Sequence, residues 1–185
     1  MLGAVLATAA LAMTSTFADG VRPLKIRIAG GFVQNINQAQ IDMMNAPTGV
    51  VEPRSIALGK GVGTFGRVDF MAVTFSGPPV SDKSCPAGLV KVADIVENNL
   101  LLTFSDLSML YGNGSGVVCF DPAIPAARPV AEIDGTWDGG TERFENAGGT
   151  WSLRFDVAVP IGIATQFIAE TGIITGHLTG MDQDD

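Results

Sequence analysis

A period-two alternation of apolar and polar residues is clearest over 150–159. Its apolar positions are Trp151, Leu153, Phe155, Val157 and Val159. Because successive side chains of a β-strand point to opposite faces, this pattern predicts a sheet with one face in water and the other against an apolar interior. We therefore expect Trp151, Leu153, Phe155 and Val157 to lie inside the fold.

Weaker β patterns recur along most of the chain. Strands are predicted at 24–28, 56–62, 64–75, 90–96, 100–104, 109–111, 117–120, 130–137 and 150–159. The stretch 161–178 is predicted as one strand bent at Gly172 or as two strands, and 33–53 as a loop or a short helix around 39–44. Turns are expected at 97–99, 105–106 and 113–116, and short strands joined by tight turns are typical of an antiparallel meander.

Composition supports an all-β fold. The chain has 23 glycines, 46% apolar and only 16% charged residues, whereas glycine usually makes up about 7% of a sequence. Gly59, Gly61 and Gly63 fall on one face of a predicted strand, where glycine lets a sheet coil tightly or lets another side chain lie on it. No repeat and no change of composition marks a domain boundary.

One segment resembles a known family. Residues 139–153, Gly-Gly-Thr-Glu-Arg-Phe-Glu-Asn-Ala-Gly-Gly-Thr-Trp-Ser-Leu, are similar to the Gly-Gly-Thr-Gly-x-Phe-x-x-Ala-x-Gly signature of the allene oxide cyclase and dirigent-like β-barrels, which include many bacterial secreted proteins. Glu142 stands where that family usually has a third glycine. The resemblance implies a single antiparallel, calycin-like β-barrel of about eight strands. The signature marks the fold, so it implies no catalytic residue.

The N-terminus has the pattern of a targeting segment. Residues 2–13 are apolar and uncharged, and small residues at Thr16 and Ala18 precede Asp19. A run this short suits a signal peptide better than a membrane span, which needs about 20 apolar residues, although the usual basic start is missing. We predict a signal peptide at 1–18, a barrel domain at 19–185 and a secreted or periplasmic location; the alternative is a buried N-terminal helix. No span is expected in the mature chain.

Cys85 and Cys119 are the only cysteines. In an oxidising compartment such a pair is most simply one disulfide, worth about 3 to 4 kcal/mol in the chain-entropy model. The alternatives are metal ligation and a reactive thiol. A structural zinc site is disfavoured because there is no Cys-x-x-Cys and His177 is the only histidine. We expect a disulfide and no metal.

The charge balance narrows the range of partners. A net charge of -8 repels phosphate backbones and anionic membrane surfaces. The basic residues are scattered, with no Lys/Arg cluster that would override this balance. We therefore expect no nucleic-acid partner.

Four motifs suggest chemistry, but each has a simpler interpretation. Residues 61–66, Gly-Val-Gly-Thr-Phe-Gly, match the dinucleotide fingerprint, yet a strand pattern follows where that site needs a helix. Asp134, Asp138 and Glu142 carry oxygens that calcium prefers, but they lack EF-hand spacing and are typical turn residues. His177 has no serine or acid at a recognisable spacing, so we interpret it as a surface histidine. Asn113-Gly-Ser115 is a glycosylation sequon that we interpret first as a turn.

Polar residues within apolar strands remain as candidates for ligand binding in a barrel cavity. They are Arg67, Asp69, Tyr111, Gln166 and Glu170. The alternative is a solvated outer face or structural ion pairs.

The predicted function is that of a small apolar ligand-binding or envelope accessory module without a cofactor. The alternative is a cofactor-free cyclase or stereochemistry-directing enzyme that holds a hydrophobic substrate in a productive shape. Barrels of the resembling group often form trimers, so the resemblance also implies a homo-oligomer.

Overall fold

Eight β-strands make up most of the folded chain. The structure is a computed structural model that describes residues 20–34, 54–124, 129–157 and 167–181. The strands are β1 (Arg22–Gln34), β2 (Arg54–Gly63), β3 (Gly66–Gly77), β4 (Val90–Phe104), β5 (Met109–Phe120), β6 (Val130–Gly140), β7 (Gly148–Val157) and β8 (Phe167–Thr179). A 3-10 turn, Glu142–Phe144, connects β6 to β7. Within these described residues no helix is long and apolar enough to cross a membrane.

The strands form a closed barrel in sequence order, as predicted. Every neighbouring pair is antiparallel, and β1 closes the barrel by pairing with β8, for example Ile26 with Ile174. Closure removes the exposed sheet edges through which an open sheet pairs with other chains. One barrel end carries the β2–β3 and β4–β5 turns and the 3-10 turn, and we call it the closed end. The opposite end, where β3 leads into residues 78–89, we call the mouth.

The apolar interior is formed by alternate strand positions. Trp151 and Leu153 are buried and Phe155 packs against the core, which confirms the predicted orientation of these three side chains. The side chain of Val157 and all of Val159 lie outside the described residues, as do the predicted signal peptide and the stretch around 39–44. The interior is thus lined by the residues that the period-two pattern selected.

The glycines on β2 bring neighbouring parts of the barrel close together. A Cβ atom added to Gly59 would lie 2.4 Å from the Phe70 ring and 2.7 Å from the Gly30 Cα atom, so only glycine fits there. The predicted role of these glycines, close approach of other groups to the strand, is confirmed.

Two predicted turns are wrong. Residues 97–99 lie inside β4 and residues 113–116 lie inside β5, so each strand is continuous. The pairing of β4 with β5 shifts between Ile95 and Asn98. A β-bulge of this kind bends a strand without ending it. Asn98 and Asn99, which predicted a turn, follow the bulge and pair with Gly114 and Asn113 of β5. Of the two alternatives for 161–178, the described part forms one strand that runs through Gly172.

Candidate functional site

The closed end is filled by an aromatic cluster. Phe65, Phe104 and Phe144 contact one another, with ring centroids 4.8 to 6.4 Å apart. Phe144 is 0% exposed. These distances lie within the range in which aromatic pairs attract beyond simple burial. The cluster seals this end of the barrel.

Arg143 covers the cluster. Its guanidinium carbon lies 4.9 Å from the Phe144 ring centroid and 5.1 Å from that of Phe104, which is within cation–π range. Its Nε atom lies 3.2 Å from a carboxylate oxygen of Asp106 and donates to the Ser108 hydroxyl. A hydrogen bond from the Ser108 side chain, aided by the Arg143 charge, lowers the pKa of Asp106. Arg143 is therefore committed to structure.

Trp151 fills the middle of the barrel. Its Nε1 atom donates to the backbone oxygen of Thr136 at 3.0 Å. A Cβ atom at Gly112, Gly114 or Gly135 would come within 2.8 Å of the indole. These glycines provide the space for the ring, which also packs on Trp137. The centre of the barrel is therefore packed, and a ligand inside the barrel would have to lie nearer the mouth.

The mouth half of the interior contains a buried polar pair. Asn98, 1% exposed, donates from Nδ2 to the Thr74 hydroxyl at 2.7 Å. Its Oδ1 atom is buried and has no hydrogen-bond partner among the described residues. The inner face nearby carries small side chains, including Ala57 and Ala72. An acceptor left unsatisfied in an apolar interior costs about 1 to 3 kcal/mol, so it is a group that a bound molecule can satisfy.

A second polar atom in the barrel interior also lacks a partner. Trp137 is buried, and its Nε1 donor has no hydrogen-bond partner in the described part of the chain. Trp137 pairs with Gly112 of β5, whereas Asn98 pairs with Gly114, two residues nearer the mouth. Since Trp137 also packs on Trp151, its Nε1 atom belongs to the packed part of the interior, and Asn98 Oδ1 is the unpartnered atom on the mouth side among the described residues.

A buried carboxylate holds the loop at the mouth. Asp94 accepts hydrogen bonds from the backbone nitrogens of Val80 and Ser81 and from the Ser81 hydroxyl, at 2.6 to 2.8 Å. Lys91 lies 3.0 Å from the same carboxylate. The Ser81 hydrogen bonds hold the pKa of Asp94 far below its usual range, and the Lys91 charge lowers it further. This network fixes the loop 78–89 to β4.

A disulfide ties the same loop to β5. Cys85 and Cys119 are bonded, with their Cα atoms 5.8 Å apart, so the predicted pairing is confirmed. Lys83 adds hydrogen bonds to the backbone oxygen and the hydroxyl of Ser115. The wall of the mouth on this side is therefore fixed by covalent and polar links.

Three of the five predicted ligand-binding residues lie away from the barrel interior. Arg67, Asp69 and Tyr111 are exposed on the outer face, and Asp69 forms an ion pair with Lys60 at 2.8 Å. This is the outer-face arrangement that the sequence left open as the alternative. Gln166 lies outside the described residues. Glu170 is described only in its backbone, which pairs with Gly30 and Val157; a role of these five residues in binding remains a prediction.

Sequence reasoning missed Asn98 and Thr74. Asn98 stands in Glu-Asn-Asn, a typical turn composition. Thr74 is a polar residue in a predicted strand, and threonine is common on exposed strand faces. The available signal was position: Thr74 has the same parity as Phe70 and Ala72, and Asn98 has the parity of Leu100 and Leu102. That parity places both residues on the inner face.

The remaining candidates lie on the outer surface. An open groove of about 410 Å³ crosses β1, β8 and β7, between Arg27 and Arg154, and Arg154 already donates to Glu132. The His177 side chain is exposed, and its Nδ1 atom lies within hydrogen-bond distance of the Thr150 hydroxyl, at 3.3 Å. No group of three potential metal ligands occurs among the residues that the structure describes. Residues 61–66 form the β2–β3 hairpin.

Residues 139–153 cross the closed end as the end of β6, the 3-10 turn and the start of β7. Glu142 has a φ of 53°, a left-handed conformation that favours glycine, at the position where the resembling signature has its third glycine. Comparison of the chain with protein-family models, curated proteins and solved structures finds no match. The assignment of the chain to a closed eight-stranded antiparallel barrel therefore rests on the structure itself.

Proposed function

We propose that this protein is a secreted or periplasmic barrel that binds one small, largely apolar molecule in the mouth half of its interior. The observation that carries the proposal is the buried Oδ1 atom of Asn98, which has no hydrogen-bond partner among the described residues. Small barrels of about eight strands are either filled by side chains or hold one small ligand. The half of the interior toward the closed end is filled by Trp151 and the phenylalanine cluster. In the described residues of the mouth half, the Asn98 acceptor lies among small side chains.

The ligand chemistry follows from the Asn98 Oδ1 atom, which accepts a hydrogen bond and has no partner among the described residues. The interior around it is apolar. A ligand that suits this interior is an apolar skeleton with one hydrogen-bonding group, such as an alcohol or a secondary amine. Binding sites of this kind combine mostly apolar contacts with a few placed polar groups.

Kinship with the allene oxide cyclase and dirigent-like barrels is part of the same proposal. It is supported by the signature in residues 139–153 and by the positive φ of Glu142. Fold resemblance does not carry activity, so the proposal is limited to binding.

The test uses N-phenyl-1-naphthylamine, an apolar probe with one N–H donor. The protein has two tryptophans, Trp137 and Trp151, both buried in the barrel, so a probe bound inside should quench their emission saturably at one site. The variant Asn98→Leu keeps the side-chain shape but removes the acceptor. We expect at least about tenfold weaker binding, because the probe N–H would lose its hydrogen bond in a buried site.

The matched control is Asn99→Leu, on the exposed outer face of β4. It makes the same chemical change one residue away and should leave the probe affinity unchanged. A second readout separates binding from folding: replacing both Thr74 and Asn98 by their apolar isosteres, Val and Leu, should leave stability within about 1 kcal/mol while weakening binding. Equal probe affinity in wild type and Asn98→Leu, or no saturable binding to the wild type, would overturn the proposal.

A further inference from the structure

Charge is unevenly distributed around the barrel. The outer side of β1–β3 carries exposed cations, whereas β6 and β7 carry mostly carboxylates. The exposed cations are Lys25, Arg27, Lys60 and Arg67, accompanied in these strands by Asp69. The carboxylates on the other side are Glu132, Asp134, Asp138 and Asp156, accompanied by Arg154. In a closed barrel of eight strands in sequence order, β2 lies opposite β6 and β3 opposite β7. A protein with a net charge of -8 therefore has one basic side.

The basic side also exposes large apolar side chains. Ile56, Leu58 and Val62 of β2 are 47%, 55% and 60% exposed, and Met71 of β3 is 39% exposed. We call the outer face formed by these residues and the cations of β1–β3 the basic-apolar face. Contiguous exposed apolar side chains on a folded domain usually mark an interaction surface.

Strand register interleaves the two kinds of side chain. Arg27 of β1, Val62 of β2 and Arg67 of β3 are direct neighbours across the sheet. Two positions nearer the mouth on each strand, Lys60 pairs with Asp69, and beyond them Leu58 lies beside Met71. Cations therefore flank the apolar side chains, so a partner for this face must be both anionic and apolar.

A second copy of the chain does not meet that requirement. In the described part of the chain, the exposed large apolar side chains lie outside β6, β7 and β8, so the acidic side offers the carboxylates but no apolar surface. A two-fold pair through the basic-apolar face would set cations against cations. A nucleic-acid backbone would match the cations and leave Leu58 and Val62 against phosphate.

We propose that the basic-apolar face docks on an anionic lipid surface, with Leu58 and Val62 entering the interface and Arg27 and Arg67 contacting lipid phosphates. The overall negative charge does not prevent this, because the β6 carboxylates Glu132, Asp134 and Asp138 lie opposite β2 in the closed barrel, although Asp156 of β7 lies in the same groove as Arg27. Exposed charges farther apart than the Debye length, about 8 Å at physiological salt, are largely screened from one another. The basic side is therefore what an approaching membrane meets. This proposal does not depend on the ligand proposed above.

The test is co-sedimentation of the full chain with vesicles. One set contains equal parts phosphatidylcholine and phosphatidylglycerol, and the other contains phosphatidylcholine alone. We expect binding to the anionic vesicles, weaker binding at high salt, and little binding to the neutral ones. Binding that is independent of lipid charge, or the absence of binding, would overturn the proposal.

Charge variants locate the contact. Arg27→Gln combined with Arg67→Gln should weaken binding about fivefold for each cation removed. Arg154→Gln makes the same change on β7, where the guanidinium already donates to Glu132, and should have little effect. If the double variant binds as tightly as the wild type, another part of the chain, such as the apolar run at 2–13, makes the contact, and the face is rejected.

An apolar pair of variants completes the test. Leu58→Asn should weaken vesicle binding about tenfold because it removes one large apolar side chain from the interface. Leu107→Asn is the control, since Leu107 is even more exposed, at 78%, but lies in the β4–β5 turn at the closed end. Both sites are on the surface, and unchanged circular dichroism will show that folding is intact. Equal losses in the two variants contradict docking through this face.

Discussion

The two ends of the barrel are stabilised by different forces. The closed end is an apolar cluster, in which three phenylalanine rings pack under the Arg143 guanidinium. The mouth is held by a disulfide and by a carboxylate that accepts several hydrogen bonds. Apolar packing does not depend on pH or redox state, whereas the links at the mouth depend on both. One end can therefore be loosened by conditions that leave the other intact.

The largest effect is expected from removing a ring at the closed end. Phe144→Ala should lower the free energy of unfolding by about 3 to 5 kcal/mol, because a fully buried aromatic side chain is lost and a cavity remains. Urea unfolding followed by tryptophan fluorescence measures this. Val80→Ala, at an exposed loop position at the mouth, should change stability by less than about 0.5 kcal/mol. A loss below about 1 kcal/mol for Phe144→Ala would show that the cluster does not hold this end together.

Removing the disulfide should loosen the mouth selectively. Cys85→Ala combined with Cys119→Ala should cost about 3 kcal/mol, because the unfolded chain regains the entropy of an open loop. Amide hydrogen exchange should then rise sharply in residues 78–89 and stay slow in 141–147 at the closed end. Wild-type protein under reducing conditions should show the same local change. Uniform acceleration at both ends would contradict the division of the barrel into two independently held ends.

Acid should act on the mouth through Asp94. Its pKa in the folded protein is lowered from an ordinary value of 3.8, so its stabilising effect is complete above that value and is lost as pH falls below it. We expect the free energy of unfolding to decline steeply below about pH 4, accompanied by release of the loop 78–89. Asp106 at the closed end also has a lowered pKa, but its side chain is half exposed, so its part should be smaller.

The variant Asp94→Asn tests this assignment. It should be less stable than the wild type at neutral pH and show a flatter dependence of stability on pH in the acid range. Asp82→Asn removes a carboxylate from the same loop at an exposed position and should keep the wild-type slope. If Asp94→Asn keeps that slope as well, other carboxylates control the acid transition.

The sequence predicted features that depend on local pattern. The inward face of β7 follows from its period-two pattern, the disulfide from the presence of two cysteines, and the close approach of other groups to the β2 glycines from their spacing. Gly112, Gly114 and Gly116 show the same period-two spacing as the glycines of β2, yet 113–116 was predicted as a turn. The difference is that Gly112 and Gly114 make room for the Trp151 ring, which comes from a distant strand and leaves no local mark in the sequence.

The polar pair at the mouth escaped prediction for a related reason. Asparagine is common in turns because its side chain bonds to nearby backbone groups, and this preference outweighed the inward parity of Asn98. The pairing of β3 with β4 sets Asn98 beside Thr74, and together with its burial it shows that the asparagine is in the interior. Local propensity is therefore least informative where a buried polar residue replaces an apolar one.

The smallest predicted effect concerns Glu142. Its φ of 53° is a conformation that costs a residue with a side chain about 1 kcal/mol or more. Glu142→Gly removes that cost but gives the unfolded chain more freedom, which offsets about 0.4 to 1 kcal/mol. The net result should be a gain of up to about 1 kcal/mol in the free energy of unfolding.

The matched change Glu145→Gly separates the two contributions. Glu145 is exposed and has a φ of -53°, so its replacement brings only the entropy cost and should destabilise the protein by about 0.5 to 1 kcal/mol. The difference between the two variants then measures backbone strain at Glu142 directly, since both remove one carboxylate from the same turn. If the two variants lose stability equally, the left-handed residue carries no strain, and the closed end gains nothing from a third glycine.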